Sequence, residues 1–222
     1  MKGKLLIGFS ALMMMVALWL AFIWVPMAQD GVVQRIFYFH VGLAWVAGIA
    51  FLMVFIWSIL YLAKRSHKWD MYASASAEVG LVFTTLVLVT GSIWARPLWG
   101  TWWNWEPRLT TTLVLWLIYV AYFLMRSYVP DEERRARFSA VLGIIGFLDV
   151  PIVALAIVLM PTLQHPTPLV FERQGLEPEM LFTLLFCVAT FTVFYLTLLV
   201  QRIHIKKTED AIKQLKMSQE SR

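Results

Sequence analysis

Cysteine is nearly missing from this chain. Cys187 is the only one in 222 residues, so no intramolecular disulfide can form and no Cys-x-x-Cys pair exists for metal or redox chemistry. Without a Cys-x-x-Cys-His run, the chain is not itself a covalent c-type cytochrome. Charge is scarce as well, at 15% of residues against roughly 25% in soluble domains. No nucleotide-binding motif occurs, so any ATP hydrolysis coupled to this chain belongs to another subunit. Neither an internal repeat nor a soluble domain is evident.

Hydrophobic residues make up 60% of the sequence, and the few charges cluster. None occurs between Lys4 and Asp30, Arg35 and Lys64, Glu78 and Arg96, or Arg108 and Arg126. The same holds between Arg137 and Asp149, Asp149 and Glu172, and Glu179 and Arg202. A spanning helix needs about 20 mostly apolar residues. The chain therefore reads as an all-α, polytopic integral membrane protein. Its six spans are expected near Leu5–Pro26, Ile36–Ala63, Val79–Ala95, Leu109–Met125, Phe138–Met160 and Met180–Val200. Residues 1–205 form one membrane domain with a tryptophan-rich outer loop at 94–108, and residues 206–222 a polar cytoplasmic tail. The apolar run after Met1-Lys-Gly-Lys4 exceeds the 7–15 residues typical of a signal-peptide core, so the first span is expected to be retained.

The net charge of +5 follows topology rather than nucleic-acid binding. Fifteen of the 19 Lys and Arg fall on the face that holds both termini, while Arg35, Arg96, Arg108 and Arg173 fall on the other. That asymmetry puts both termini in the cytoplasm.

Five of the 11 tryptophans, Trp94, Trp99, Trp102, Trp103 and Trp105, lie within twelve positions at the outer border. Indole is large, rigid and apolar with one N–H donor. Grouped this way, the rings suit a broad planar ligand with an apolar face and a polar edge. Of four histidines, His67 and His204 lie among inner-face cations. His40 is 24 residues from Lys64, roughly 36 Å of helix, which puts it at the outer edge of span two. His165, 28 residues past Arg137, reaches the same depth. Two imidazoles fill the axial positions of a haem iron, and Arg96 and Arg108, with Arg35 as a third, could meet its propionates. Arg96 and Arg108 could equally anchor helix ends, and either of His40 and His165 alone could be structural. Asp149, inside span five beside Pro151, is open to a functional or a local hydrogen-bonding role. Glu78 is expected to cap the start of span three, and Pro161 to end span five.

Trp99-Gly-Thr-Trp-Trp-Asn-Trp-Glu-Pro-Arg-Leu-Thr110 resembles the tryptophan-rich WWD signature of haem-handling proteins. Within that superfamily the chain most resembles the haem exporter protein C (CcmC) family of cytochrome c maturation. Ala77-Glu-Val-Gly80, Thr90-Gly-Ser92, Arg35-Ile-Phe-Tyr-Phe-His-Val41 and Asp149-Val-Pro-Ile152 carry the likeness further. Glu106 stands where the signature usually has Asp, and Gln164 precedes His165 where the family usually has Leu.

The resemblance implies haem b held at the outer face of a bacterial inner membrane by His40 and His165, with the tryptophan loop and Glu106 at the porphyrin. It implies delivery to a periplasmic haem chaperone of the CcmE family. It also implies an ABC-type ATPase and membrane subunits of the CcmA, CcmB and CcmD families as partners, with no catalysis of the chain's own. Two rivals are a haem lyase that attaches haem directly to apocytochrome c, and a cofactor-free permease subunit. The two outward histidines and the lack of a large outer domain count against the lyase.

Overall fold

The structure, a computed structural model, describes residues 2–27, 31–159 and 176–220. These form six helices and, among the described residues, no strand. They are α1 (Lys2–Trp19), prolonged by a π-helical turn at Leu20–Trp24; α2 (Arg35–Lys64), entered through a 3-10 turn at Gly31–Gln34; α3 (His67–Trp99); α4 (Pro107–Tyr128); α5 (Glu132–Leu159); and α6 (Pro178–Glu220). All six are long and apolar enough to cross a membrane. Helix α4, for instance, has 22 residues, about 33 Å at 1.5 Å per residue, against a hydrocarbon core of about 30 Å. Large side chains such as Leu5, Phe9, Leu12, Phe182 and Leu185 point outward and are exposed, which suits lipid contact.

Short links reverse the chain. Arg65 adopts a left-handed conformation (φ 50°) after α2, and its N–H reaches the Tyr61 carbonyl at 2.7 Å. Gly100 (φ 74°) does the same after α3, with its N–H on the Arg96 carbonyl at 3.0 Å. Asp131 accepts the Arg134 N–H at 2.7 Å and starts α5, where a side-chain oxygen satisfies an otherwise orphaned helix donor. The turns gather the basic residues at one end of the bundle and the tryptophan segment at the other.

Helix α2 is central and packs against α3, α5 and α6. Its Leu43, Val46, Ala47 and Ala50 meet Ala75, Val79 and Phe83 of α3 and Phe191, Tyr195 and Leu199 of α6. The approach of α2 to α3 depends on Gly80, because a Cβ there would lie 2.7 Å from the Phe51 ring. Phe51 in turn stacks on Tyr119 of α4, with centroids 3.8 Å apart. Ser76 joins three helices by donating to the Ala50 carbonyl at 2.8 Å and meeting the Tyr195 hydroxyl at 2.8 Å.

Several expected boundaries move. Helix α3 begins at His67, not near Val79. Its first turns carry Ala73, Ser74, Ala75, Ser76 and Ala77, all buried, so close packing of small residues forms helix where hydropathy alone signals a loop. Glu78 therefore caps nothing; it sits within α3 and pairs with Arg202 and Lys206 of α6. The tryptophan segment is not a loop over 94–108 either. Helix α3 continues through Pro97 to Trp99, and only residues 100–106 are non-helical. The tail expected from residue 206 is the continuation of α6 to Glu220. Pro161 and His165 lie outside the described residues.

Candidate functional site

A cavity of about 510 Å³ lies between α2, α3, α4 and α5, within the roughly 300–1,000 Å³ of ordinary ligand pockets. Its origin is visible in the packing of α2 against α5. Toward the basic end the two helices touch closely: a Cβ on Gly143 would come within 2.8 Å of Ser58 Oγ, and Phe55 stacks on Phe147 at 4.7 Å. Beyond that stack, one face of α2 from Leu52 back to His40 and α5 residues Val150, Val153 and Ala154 border the cavity. Leu115 and Thr112 of α4 border it too, while Trp94, Trp99 and Trp103 bring it to the tryptophan segment.

His40 stands in the cavity wall, 8% exposed. Its Nδ1 lies 2.8 Å from Thr90 Oγ1 on α3, and that hydroxyl donates to the Leu86 carbonyl at 2.7 Å. The imidazole leans on the Trp94 ring, with centroids 5.8 Å apart and planes inclined at 60°. Behind it is Gly91, where a Cβ would sit 3.1 Å from His40 Cε1.

The five tryptophans divide. Trp94, Trp99 and Trp103 line the cavity. Trp102 and Trp105 do not, and are 57% and 73% exposed. Trp103 stands edge-on to Trp105 at 5.8 Å, and Thr101 holds the local turn by donating to the Trp103 carbonyl at 2.8 Å. The buried Nε1 atoms of Trp94 and Trp103 find no hydrogen-bond partner among the described residues. A buried donor without an acceptor costs free energy unless something else satisfies it.

The arginines divide as well. Arg108, in the first turn of α4, borders the cavity. It makes no salt bridge among the described residues, and its counter-charge is the buried Glu106 two positions earlier. Glu106 itself is not part of the wall. Arg96 is exposed and donates to the Gly100 carbonyl, so it closes the end of α3 rather than facing the cavity. Arg35 lies 6.0 Å over the Phe22 ring. Asp149 is half-buried beside Val150, outside the wall, and its Oδ2 has no partner among the described residues. His67 is at the basic end, 2.8 Å from Asp210.

Sequence reasoning misses Trp45, Thr112 and Phe147, which also line the cavity. A signal exists for Thr112, though not for Trp45 or Phe147. His40, Ala44, Ala47 and Gly48 fall at i, i+4, i+7 and i+8; Thr84, Leu88, Gly91 and Ala95 repeat that stripe on α3, and Arg108, Thr112 and Leu115 on α4. Helical spacing puts each set on one face, and the small residues leave room.

The sequence matches the family described as Heme exporter protein C over residues 3–218. Heme exporter protein C of Bradyrhizobium diazoefficiens is 32% identical over 201 residues, covering 87% of this chain and 74% of its own length. Heme exporter protein C of Escherichia coli K12 is 32% identical over 176 residues, or 79% and 71% of the two chains. A mitochondrial protein of Marchantia polymorpha, described as ccmC-like in cytochrome c biosynthesis, is 30% identical over 197 residues, or 88% and 82%.

Proposed function

The chain belongs to the haem exporter protein C family, and from that membership we propose that it holds haem as cargo in the cavity at its tryptophan end and passes it on during c-type cytochrome maturation. One observation carries the reading. His40, Trp94, Trp99, Trp103 and Arg108 come from three helices and the link between two of them, yet border a single cavity.

The residues fit haem chemically. Broad apolar walls suit the porphyrin faces. The unpartnered indole N–H groups of Trp94 and Trp103 and the guanidinium of Arg108 suit an edge that bears carboxylates. Imidazole is a common axial ligand of haem iron, and His40 supplies one; His165 is proposed as the second. Arg96 and Glu106 act behind the wall, Arg96 by closing α3 and Glu106 by attracting Arg108. Trp102 and Trp105, exposed beside the cavity, form the surface that a periplasmic haem chaperone would meet. The excess of Lys and Arg at the opposite end turns the tryptophan end away from the cytoplasm. A bacterial inner membrane, haem b, and ABC-type ATPase and membrane partners complete the proposal. The chain needs no catalytic group of its own, because its work is to bind, cover and release.

Purification after haem-replete expression tests this. The wild type is expected to show the haem absorption band, and His40→Ala and His165→Ala to lose most of it. Undiminished loading in the double variant would reject the ligand assignment. A colourless wild type would favour a cofactor-free permease subunit.

A further inference from the structure

We infer that Thr90 and Gly91 are positioning residues that set the tautomer and seat of the His40 ring, so that Nε2 carries the lone pair offered to the cargo iron; the link to iron rests on the function proposed above. A threonine hydroxyl has one proton to give. Thr90 sits inside α3, and its Oγ1 lies 2.7 Å from the Leu86 carbonyl, four residues back. A carbonyl cannot donate, so at that contact the hydroxyl must. The same oxygen lies 2.8 Å from His40 Nδ1. With its proton already committed, it can only accept there, and Nδ1 must be the protonated nitrogen. In a neutral imidazole the other nitrogen then holds the in-plane lone pair, and that atom is Nε2.

The opposite arrangement is possible in principle. Thr90 could turn its proton toward Nδ1, which would place the histidine proton on Nε2 and abolish ligation through that atom. It would also give up the bond to Leu86. The first arrangement makes both of these hydrogen bonds and the second only one, so the Thr90 contact selects the tautomer that offers Nε2 to a metal. A hydrogen bond from the remote ring N–H also orients a ligating histidine and raises its basicity.

Gly91 completes the seat. A methyl group there would come 3.1 Å from His40 Cε1, a contact tight enough to push the ring away from Thr90 or against Trp94. Two adjacent residues therefore act on one imidazole: Thr90 fixes which nitrogen is protonated, and Gly91 leaves space for the ring.

The test reads the apoprotein first. Histidine labelled with nitrogen-15 in protein reconstituted in lipid nanodiscs reports, by long-range proton–nitrogen spectra, which ring nitrogen of each histidine is protonated. The His40 signals are assigned by their loss in His40→Ala. Wild type and Thr90→Ser are expected to carry the proton on Nδ1, and Thr90→Val to lose that preference. Haem titration of the same samples should show Thr90→Val binding roughly 10- to 100-fold more weakly, with Thr90→Ser restoring wild-type affinity. Gly91→Ala should weaken binding as well. A wild-type His40 protonated on Nε2, or a tautomer indifferent to Thr90→Val, would overturn the inference whatever haem does. The expected tautomers together with haem binding unchanged in both Thr90→Val and His40→Ala would leave the Thr90 contact standing and overturn the reading of His40 as a ligand.

Discussion

The two ends of this bundle treat their polar groups in opposite ways. At the basic end, charge answers charge. Arg126 grips buried Asp70 through two hydrogen bonds of 2.6 and 2.9 Å and also donates to Ser139 at 2.8 Å. Glu78 accepts from Arg202 and from Lys206. The long α6 is tied down by Lys213 on Glu132 and by His67 against Asp210. At the tryptophan end, among the described residues, no salt bridge forms. There the indole N–H groups of Trp94 and Trp103 lack partners, and Arg108 borders a cavity. The charges of one end pair with each other and lock helices together, while at the other Arg108 and the Trp94 and Trp103 rings are arranged around space. Stability and cargo binding should therefore respond to different substitutions.

The largest effect should come from Arg126→Ala. It leaves Asp70 buried and unpaired, and breaking such a pair costs about 3–5 kcal/mol. Denaturant unfolding in detergent should register that loss, while the fraction still folded binds haem normally. Next is Arg108→Gln, which removes a charge-assisted bond worth about 1.5–3 kcal/mol. It should weaken haem binding at least tenfold in a spectral titration with little change in the unfolding midpoint. Smaller again is the contrast between Trp103→Phe and Trp105→Phe. The first alters the wall and should weaken haem binding measurably; the second changes an exposed ring and should leave titration curves superimposable. Smallest is Glu132→Gln, where an exposed pair with Lys213 is lost, and the unfolding free energy should move by less than about 1 kcal/mol. Equal sensitivity of binding to Arg126→Ala and Arg108→Gln would erase the distinction between the two ends.

Much of this is written plainly in the chain. Long gaps between charges give six spans because a bilayer core excludes unpaired charge over a fixed thickness. His40 is legible by depth, since helical rise converts residue number into distance from Lys64. The start of α3 is not legible in hydropathy, because Ala73 to Ala77 are buried for their small size rather than for strong apolar character. Nor can the tryptophan segment be sorted by eye. Trp102 and Trp103 are neighbours in a non-helical link, where no periodicity says which ring faces inward, and only the folded chain turns Trp103 to the cavity and Trp102 outward. Thr90 and Gly91 escape for a further reason: neither is a ligand type, and their bearing on His40 appears only when α2 lies against α3.

Cargo seated in the cavity beside His40 would shield the groups that line it, and site-directed thiol protection reads that shielding. The native Cys187 is buried, so a single introduced thiol can be followed against a quiet background. Ser92 borders the cavity and Ser127 is exposed at the far end of the bundle. Haem is expected to slow alkylation of Ser92→Cys and to leave Ser127→Cys unaffected. Alkylation of Ser92→Cys at the same rate with and without saturating haem would place the cargo elsewhere.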